Sequence, residues 1–163
     1  MSYMNANPAD EILPGLWLGN IYASKDLAFL KEKRIRAVFN CTKDIPFSDI
    51  KLQNYRLPVD DNLQEEEIRN MELWSIETIY KLQKEYTKGP VLVHCHAGMQ
   101  RSAAVVAMYL IAQKDMKYEE AKAYIQQRRP IAFRAKANFE KAIRGFENTF
   151  DKHIRPQLNR PAA

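Results

Sequence analysis

Hydrophobic residues follow two patterns along the chain: short apolar runs, and longer stretches in which apolar positions recur every three to four residues. The short runs predict strands, and they occur in EILPGLWLGN, RAVFNCT, NYRLPVDDN and VLVHC. Pro14 and Gly15 interrupt the first run, which therefore predicts two strand pieces. VLVHC is apolar almost throughout, which is typical of a strand covered on both faces.

The longer stretches predict amphipathic helices. Ser24 is placed to cap a helix through KDLAFLKEK, with Leu27 and Leu30 on its apolar face. LQEEEIRNMELWSIETIYKLQKEY predicts a long helix, because glutamates fill its first turn, where the helix dipole favours them. The remaining helices are predicted in SAAVVAMYLIAQK, which is mostly apolar and therefore central, and in YEEAKAYIQQRR and KANFEKAIRGFENTF.

The alternation of strands and helices predicts one α/β domain, with a central mixed or mostly parallel sheet of about five strands flanked by helices. We expect this domain over residues 9–150, with residues 1–8 and 151–163 as flexible or peripheral tails. Ligands of such sheets bind at the carboxyl ends of the strands. A site is therefore expected where VLVHC ends.

Composition limits the classes of protein. A chain of 163 residues suits a single core. No window approaches the ~18 apolar residues of a membrane span, and MSYMNANPADE lacks the pattern of a secretory signal. Two cysteines do not make a disulfide framework, so we expect a reducing compartment, cytoplasmic or nuclear. The net charge of +5 suits an anionic partner without identifying it.

Candidate chemistry is concentrated in the stretch VLVHCHAGMQRSAA. Cys95 is either a small buried residue at a strand end or a nucleophile that faces an anion. Only the second interpretation explains two other residues of the stretch. Gly98 lets the loop curl so that backbone N–H groups point inward. Arg101 lies where the next helix starts, and its planar fork suits the oxygens of a phosphate.

In this interpretation Cys95 lies at the base of a nest for a tetrahedral oxyanion. The inward N–H groups, the helix N-terminus and Arg101 all favour the thiolate, which would attack phosphorus and form a phosphocysteine. Ser102 can donate a hydrogen bond to the sulfur and stabilise the thiolate as a leaving group. The loop residues predicted to contact the phosphate or its substrate are His96, Ala97, Gly98, Met99, Gln100 and Arg101.

The reaction also needs a carboxylic acid that protonates the leaving oxygen and then activates water. LPVDDNLQEEE offers Asp60 and Asp61 on a loop after a strand, where a side chain can overhang the nest. The alternative is that both are turn residues near a helix start. His94 is expected to bond a backbone group and order the loop. No metal site is expected, because adjacent residues at a strand end cannot converge on one ion.

The stretch HCHAGMQRSA resembles the HCxxGxxRS signature of the dual-specificity phosphatases, the compact single-domain group of the cysteine-dependent protein tyrosine phosphatases. Four other segments resemble those that the family has at the corresponding places: ILPGLWLGN, AVFNCT, YRLPVDDN and YIQQRRPI. The resemblance implies metal-independent hydrolysis of phosphotyrosine and phosphoserine/threonine in proteins, with phosphorylated proteins as partners and no cofactor. It also implies Asp61 as the acid, with Asp60 as the alternative.

Two positions extend or depart from the family pattern. In the family's sheet the strand that ends at Cys41 neighbours VLVHC, so Cys41 is a candidate redox partner of Cys95; the alternative is a small buried residue. The second position is the segment RRPIAFRAKANF, which keeps Asn138 but lacks the Pro-Asn pair that is usual in the family. This departure places Arg134 and Lys136 where a larger anionic substrate could contact them.

Other substrates and other roles remain as alternatives. Related cysteine phosphatases act on phosphoinositides or on RNA 5′-phosphate ends, and nucleic acid enters only as such a substrate. Lipid phosphatases of this kind often carry lysines in the loop, whereas this loop has none. A phosphate-binding module without turnover usually lacks the cysteine, the arginine or the acid, and here all three residue types are present. A homodimer is possible but is not indicated by the sequence.

Overall fold

The computed structural model describes residues 6–158, and a five-stranded sheet forms its centre. The strand order is β1-β2-β5-β3-β4, in which β1 and β2 are antiparallel and the other neighbours are parallel. The strands are β1 (Ala9–Leu13), β2 (Leu16–Gly19), β3 (Ala37–Asn40), β4 (Gln53–Arg56) and β5 (Val91–His94). The prediction of one α/β domain with a mixed, mostly parallel sheet is confirmed.

Helices pack against the sheet and enclose two hydrophobic cores. They are α1 (Ile21–Lys25), α2 (Leu27–Glu32), α3 (Glu65–Tyr86), α4 (Arg101–Lys114), α5 (Tyr118–Arg128), α6 (Glu140–Thr149) and α7 (Arg155–Leu158). A π-helical turn, Phe150–Ile154, connects α6 to α7.

Strand β5 is buried on both faces, as its continuous apolar run predicts. Val91 and Val93 belong to the larger core, which includes residues of α3 to α6, whereas Leu92 packs with α1 and α2 in the smaller core. This division follows the alternation of side chains along a strand. Helix α4 is buried from Ser102 to Ala112, so the unit β5–loop–α4 has covered elements on both sides of its loop.

The predicted helix cap at Ser24 is wrong. The Ser24 hydroxyl donates to the carbonyl of Ile21 at 2.7 Å, inside α1. Asn20 caps α1 instead, and Asp26 separates the two short helices and caps α2 by accepting the N–H of Phe29 at 3.1 Å. Asn and Asp are at least as effective as Ser at this position, and each lies where the backbone leaves the helical conformation.

The described structure continues beyond α6 as far as residue 158. Residues 150–158 form the π-helical turn and α7, and Arg155 donates to the Ile111 carbonyl at 3.1 Å. Residues 1–5 and 159–163 lie outside the described part, so the tails and the domain bounds at 9–150 stay predictions. Within residues 6–158 no helix is long and apolar enough to cross a membrane.

Candidate active site

The candidate site is built on the loop between β5 and α4, residues 95–100, which we term the Cys95 loop. Its first residue, Cys95, comes directly after β5, which lies between the parallel strands β2 and β3. Gly19 at the end of β2 and Asn40 at the end of β3 are both in register with His94 at the end of β5. The loop therefore lies at the carboxyl ends of the strands, where α/β folds bind ligands. Helix α4 begins directly after it, at Arg101.

Cys95 is buried, yet its surroundings favour the charged thiolate. Its sulfur lies 3.1 Å from the hydroxyl oxygen of Ser102. Burial opposes ionisation, but hydrogen bonds from the Ser102 hydroxyl and N–H, the charge of Arg101 and the Gly98 N–H outweigh it and lower the pKa of Cys95. Hydrogen bonds to the ionised form and a nearby opposite charge both act in this direction.

Gly98 is the turning point of the loop, with φ of +67°. A Cβ atom at this position would lie 2.6 Å from the Gly19 carbonyl oxygen and 2.7 Å from a guanidinium nitrogen of Arg129. Only glycine avoids both the strain of this backbone conformation and these collisions. The loop is consequently pressed against the end of β2 on one side and against Arg129 on the other.

Arg129 supports the Cys95 loop from behind, and its side chain is fully buried. Its Nε donates to the Gly98 carbonyl at 2.8 Å and its Nη2 to the Ala97 carbonyl at 3.3 Å. Nη1 forms an ion pair with Asp10 of β1 at 2.8 Å. Two carbonyls of the loop are thus turned toward Arg129, which leaves the adjoining N–H groups to face the other way.

Arg101 bridges the Cys95 loop and the loop after β4. Its Nη1 donates to the carbonyl of Val59 at 2.9 Å. Its Nε is buried and has no hydrogen-bond partner among residues 6–158. A buried N–H without a partner is costly. Arg101 also lines the pocket, so its guanidinium is the cation that an oxyanion bound there would meet.

The pocket above Cys95 has a volume of about 180 Å³. Its lining combines the Cys95 loop with the loop after β4 and with residues from the segment between α5 and α6. The lining residues are Asp61, Cys95, His96, Ala97, Met99, Gln100, Arg101, Arg134 and Asn138. A thiol, a guanidinium and a carboxyl group therefore share one small concave site.

The two adjacent aspartates differ in their surroundings. Asp61 lines the pocket, and its Oδ1 accepts a hydrogen bond from Nδ2 of Asn138 at 2.9 Å. Asp60 is not among the lining residues, and its carboxylate lies 3.3 Å from the ammonium of Lys43. The geometry therefore favours Asp61 over Asp60 as a group that could reach a bound ligand.

Gln100 is buried, and its side-chain amide is used within the protein. Nε2 donates to the carbonyls of Arg134 at 3.0 Å and Lys136 at 2.9 Å. Oε1 accepts the N–H of Asn138 at 2.9 Å. These three bonds hold residues 134–138 against the Cys95 loop. This is the segment in which the usual Pro-Asn pair is missing. They leave the backbone N–H of Gln100, rather than its side chain, as the group that could contact a ligand.

The other predicted loop residues also direct backbone groups into the protein. His96 is exposed at the pocket rim, and its carbonyl accepts the N–H of Ile21 at 3.0 Å. The Met99 carbonyl accepts the N–H of Phe133 at 2.8 Å. Ala97 meets Arg129 through its carbonyl. These contacts fix the loop from outside and leave the lining of the pocket to N–H groups and side chains.

His94 is buried beneath the loop. Its Nδ1 lies 3.1 Å from the carbonyl oxygen of Cys95, which requires Nδ1 to carry the proton and donate it. Burial lowers the pKa of His94 to about 4. The ring is therefore neutral near pH 7, with one donor committed to the backbone of the candidate nucleophile.

Cys41 lies after β3, beside the start of the Cys95 loop. Its N–H donates to the His94 carbonyl at 2.8 Å, and both Cys41 and Cys95 are free thiols. Burial raises the pKa of Cys41 well above its usual range, and the neighbouring charge of Cys95 raises it further. Its role as a redox partner stays a prediction.

The sequence did not identify several residues that hold the site together. The basic segment from 126 to 136 is consistent in sequence with either a solvated helix end or an anion-binding face, but Arg129 in it is buried and binds the Cys95 loop. The contacts of Gln100 and Asn138 join segments far apart in the chain. Among residues 6–158, no three His, Cys, Asp or Glu side chains are grouped to hold a metal ion.

Comparison with known proteins identifies the class of fold and site. A family model for the dual specificity phosphatase catalytic domain matches residues 16–149. Human dual specificity protein phosphatase 4 is 36% identical over 123 residues, which are 74% of this chain and 30% of that protein. The crystal structure of human tyrosine phosphatase-like serine/threonine/tyrosine-interacting protein is 30% identical, with a TM-score of 0.71, covering 87% of this chain and 97% of that one.

Human DUSP28 has the same fold, with a TM-score of 0.74 at 22% identity over 89% of this chain and 96% of that one. The chain therefore belongs to the dual specificity phosphatase family, which confirms the resemblance found in its sequence. It spans only 30% of the length of human dual specificity protein phosphatase 4.

Proposed function

We propose that the protein hydrolyses phosphomonoesters on phosphotyrosine and phosphoserine/threonine of proteins, through a phosphocysteine intermediate and without a metal ion. The observation that carries this proposal is the convergence of three groups in one pocket of about 180 Å³: the Cys95 thiol, the Arg101 guanidinium and the Asp61 carboxyl group. Membership of the dual specificity phosphatase family supports the same reaction.

In the first step the Cys95 thiolate attacks phosphorus and the bond to the leaving oxygen breaks. The lowered pKa of Cys95 supplies the thiolate. The Arg101 guanidinium, which lines the pocket, binds an oxygen of the phosphoryl group. The backbone N–H groups of residues 96–101 bind the remaining oxygens and stabilise the charge that develops there. Asp61, as the acid, protonates the leaving oxygen.

In the second step water attacks the phosphocysteine. The Asp61 carboxylate, formed in the first step, takes a proton from the water. The Cys95 sulfur leaves as a thiolate, and the hydroxyl of Ser102 at 3.1 Å stabilises it by donating a hydrogen bond. Inorganic phosphate is released and the enzyme returns to its starting state. His94 keeps the backbone at Cys95 in place through its bond to the Cys95 carbonyl.

The partners in this proposal are phosphorylated proteins in a reducing compartment, which preserves the thiolate. RNA 5′-phosphate ends and phosphoinositides are the alternative substrates for the same chemistry. Initial rates on a phosphotyrosine peptide, a phosphothreonine peptide, a phosphoinositide and a triphosphate-ended RNA distinguish them. We expect the peptides to be hydrolysed fastest. A faster rate on the RNA or on the phosphoinositide would show that this compound, rather than a phosphorylated protein, represents the substrate class.

The acid assignment is tested by Asp61→Asn, with Asp60→Asn as the matched control. General acid catalysis contributes about 10²- to 10⁴-fold when the leaving group is a poor one. In kcat/KM, which excludes hydrolysis of the phosphocysteine, we expect Asp61→Asn to lose most of this factor on a phosphothreonine peptide and much less on p-nitrophenyl phosphate, whose leaving group needs no proton. Equal losses on both substrates, or a larger loss in Asp60→Asn, would refute the assignment.

Binding without turnover is the remaining alternative. Isolation of a phosphocysteine at Cys95 after rapid acid quench of the reaction with a phosphotyrosine peptide distinguishes it from catalysis. The proposal expects this adduct in the wild type and none in Cys95→Ser. Phosphopeptide binding with neither adduct nor phosphate release would establish a binding module.

A further inference from the structure

An ion pair that lies outside the pocket contacts the loop that carries Asp61. Lys43, in the loop after β3, has its ammonium 2.7 Å from Oε1 of Glu67. Glu67 is in the first turn of α3, and its other oxygen accepts the backbone N–H of Asp60 at 3.3 Å. The same ammonium lies 3.3 Å from the side chain of Asp60. Asp60 is thus held at both its backbone and its side chain.

Glu67 stays charged although it is 4% exposed. Burial opposes ionisation, but the hydrogen bonds from Lys43 and from the Asp60 N–H outweigh it and lower the pKa of Glu67. The hydrogen bond with Glu67 also raises the pKa of Lys43. A buried carboxylate that keeps its charge needs partners in fixed positions, and one of its partners here is the backbone of the loop that carries the proposed acid.

These contacts distinguish Asp61 from Asp60, which remained the alternative acid in the sequence. Asp60 is directed to Lys43, whereas Asp61 lines the pocket, where Nδ2 of Asn138 donates to its carboxyl group at 2.9 Å. Val59, just before them, is fixed by the bond from Arg101 to its carbonyl.

We propose that Lys43 and Glu67 are positioning residues that select Asp61 rather than Asp60 as the acid, by holding Asp60 away from the pocket. This inference rests on the proposed function, because it assigns a role within that reaction. Neither residue lines the pocket. Both act through the loop, so their removal changes proton donation to the leaving group and leaves the binding of phosphate unchanged.

The test compares Glu67→Gln and Lys43→Met with Glu77→Gln. Gln at position 67 keeps the shape of the side chain and an acceptor for the Asp60 N–H but removes the charge that Lys43 binds. Glu77 lies on the same helix and pairs with Lys81 at 3.0 Å on the exposed surface, so it controls for loss of a carboxylate from α3. Lys43→Arg, which retains the cation, is the conservative variant.

The measured quantities are kcat/KM on a phosphothreonine peptide and on p-nitrophenyl phosphate, and inhibition by inorganic phosphate. We expect Glu67→Gln and Lys43→Met each to lower the peptide kcat/KM about 10-fold or more, a part of what a general acid contributes. The kcat/KM for p-nitrophenyl phosphate should stay within about two-fold, because it reports only the steps up to release of a leaving group that needs no proton. The phosphate inhibition constant should also stay within about two-fold. Lys43→Arg and Glu77→Gln should retain the peptide rate.

A merely structural role is excluded by repeating Glu67→Gln in the Asp61→Asn background. Because Asp61→Asn already removes the acid that Glu67 positions, we expect Glu67→Gln to cause no further loss of rate on the phosphothreonine peptide. Equal losses on both substrates, an additive loss in the double variant, or no loss at all would each overturn the inference. Thermal unfolding of every variant verifies that it is folded, and Lys43→Met, which changes a side chain 45% exposed, gives a second test if Glu67→Gln unfolds.

Failure of the proposed function gives a different result. If the wild type turns over neither substrate, or if Cys95→Ser keeps the wild-type rate, the proposed function falls and this inference with it. If the wild type is active, Cys95→Ser is inactive and Glu67→Gln leaves the ratio of the two rates unchanged, the inference alone is wrong.

Discussion

Cys41 and Cys95 occupy equivalent positions at the ends of neighbouring strands, but their surroundings shift the pKa of the two thiols in opposite directions. Each lies directly after a strand, and the last residues of those strands, Asn40 and His94, are in register. Both thiols are buried, with exposures of 0% and 2%. Nevertheless the pKa of Cys41 is raised and that of Cys95 is lowered.

The difference lies in the segment of chain after each cysteine. Beyond Cys95 the chain curls at Gly98 into a helix that begins at Arg101, and Ser102 bonds the sulfur. Beyond Cys41 no helix begins until α3, and the sulfur's contact is with a carbonyl, that of Phe39, at 4.0 Å. Burial alone therefore makes an inert thiol. Donors and a cation arranged around the sulfur instead lower the pKa of an equally buried thiol.

The largest contrast between the two thiols is expected in turnover. Cys95→Ser should lower kcat on a phosphotyrosine peptide by more than about 10³-fold, because an unactivated hydroxyl replaces the nucleophile. Cys41→Ser should keep kcat within a few-fold. Steady-state phosphate release measures both, and a comparable loss in the two variants would show that Cys41 takes part in the chemistry.

Loss of the support behind the Cys95 loop is expected to have the next largest effect. Arg129→Met leaves Asp10 and the carbonyls of Gly98 and Ala97 without their cation. Breaking a buried pair in this way costs about 3–5 kcal/mol of unfolding free energy. The exposed neighbour Arg128, changed to Met, should cost under about 1 kcal/mol. Chemical denaturation followed by tryptophan fluorescence compares the two, and equal losses would contradict the role of Arg129.

Removal of the hydroxyl at Ser102 should make Cys95 more like Cys41. Ser102→Ala is expected to raise the pKa of Cys95 and to slow hydrolysis of the phosphocysteine about 10- to 100-fold, since a hydrogen bond to a charged group contributes roughly 1.5–3 kcal/mol. Ser75→Ala also removes a buried hydroxyl, one that donates to the Glu72 carbonyl at 2.6 Å, and serves as control. A burst of product in Ser102→Ala but not in Ser75→Ala measures the slowed second step.

The smallest expected effect concerns oxidation of the two thiols together. If Cys41 is a redox partner, peroxide inactivation of the wild type should be largely reversed by reductant, because a disulfide protects Cys95 from irreversible oxidation. Cys41→Ser should recover a smaller fraction of its activity. Equal recovery in the two proteins would leave Cys41 as a small buried residue only.

How far the site can be predicted from the sequence depends on where its residues lie in the chain. The Cys95 loop and the start of α4 are contiguous, so one stretch contains the candidate nucleophile, the turning glycine, the arginine and the serine. A strand end and a helix start place them. The sheet and its buried strand β5 are predictable for the same reason, since local apolar patterns define them.

The rest of the site is assembled from distant segments, which no local pattern describes. Asp60 and Asp61 are adjacent on a loop without periodicity, and the contacts that distinguish them come from Lys43, Glu67 and Asn138. Arg129 lies in a basic segment of the sequence, and its burial depends on tertiary packing against β1 and the Cys95 loop. Such contacts arise from the fold and could not be inferred before it.

The central claim, that Cys95 alone is activated, is tested most directly by the pH dependence of alkylation with iodoacetamide, with each modified cysteine located by peptide mass spectrometry. The structure predicts that Cys95 reacts with a midpoint below the ordinary thiol pKa of about 8.5, while Cys41 stays unmodified in the folded protein. Reaction of Cys95 only above that pH, or modification of Cys41 first, would contradict it.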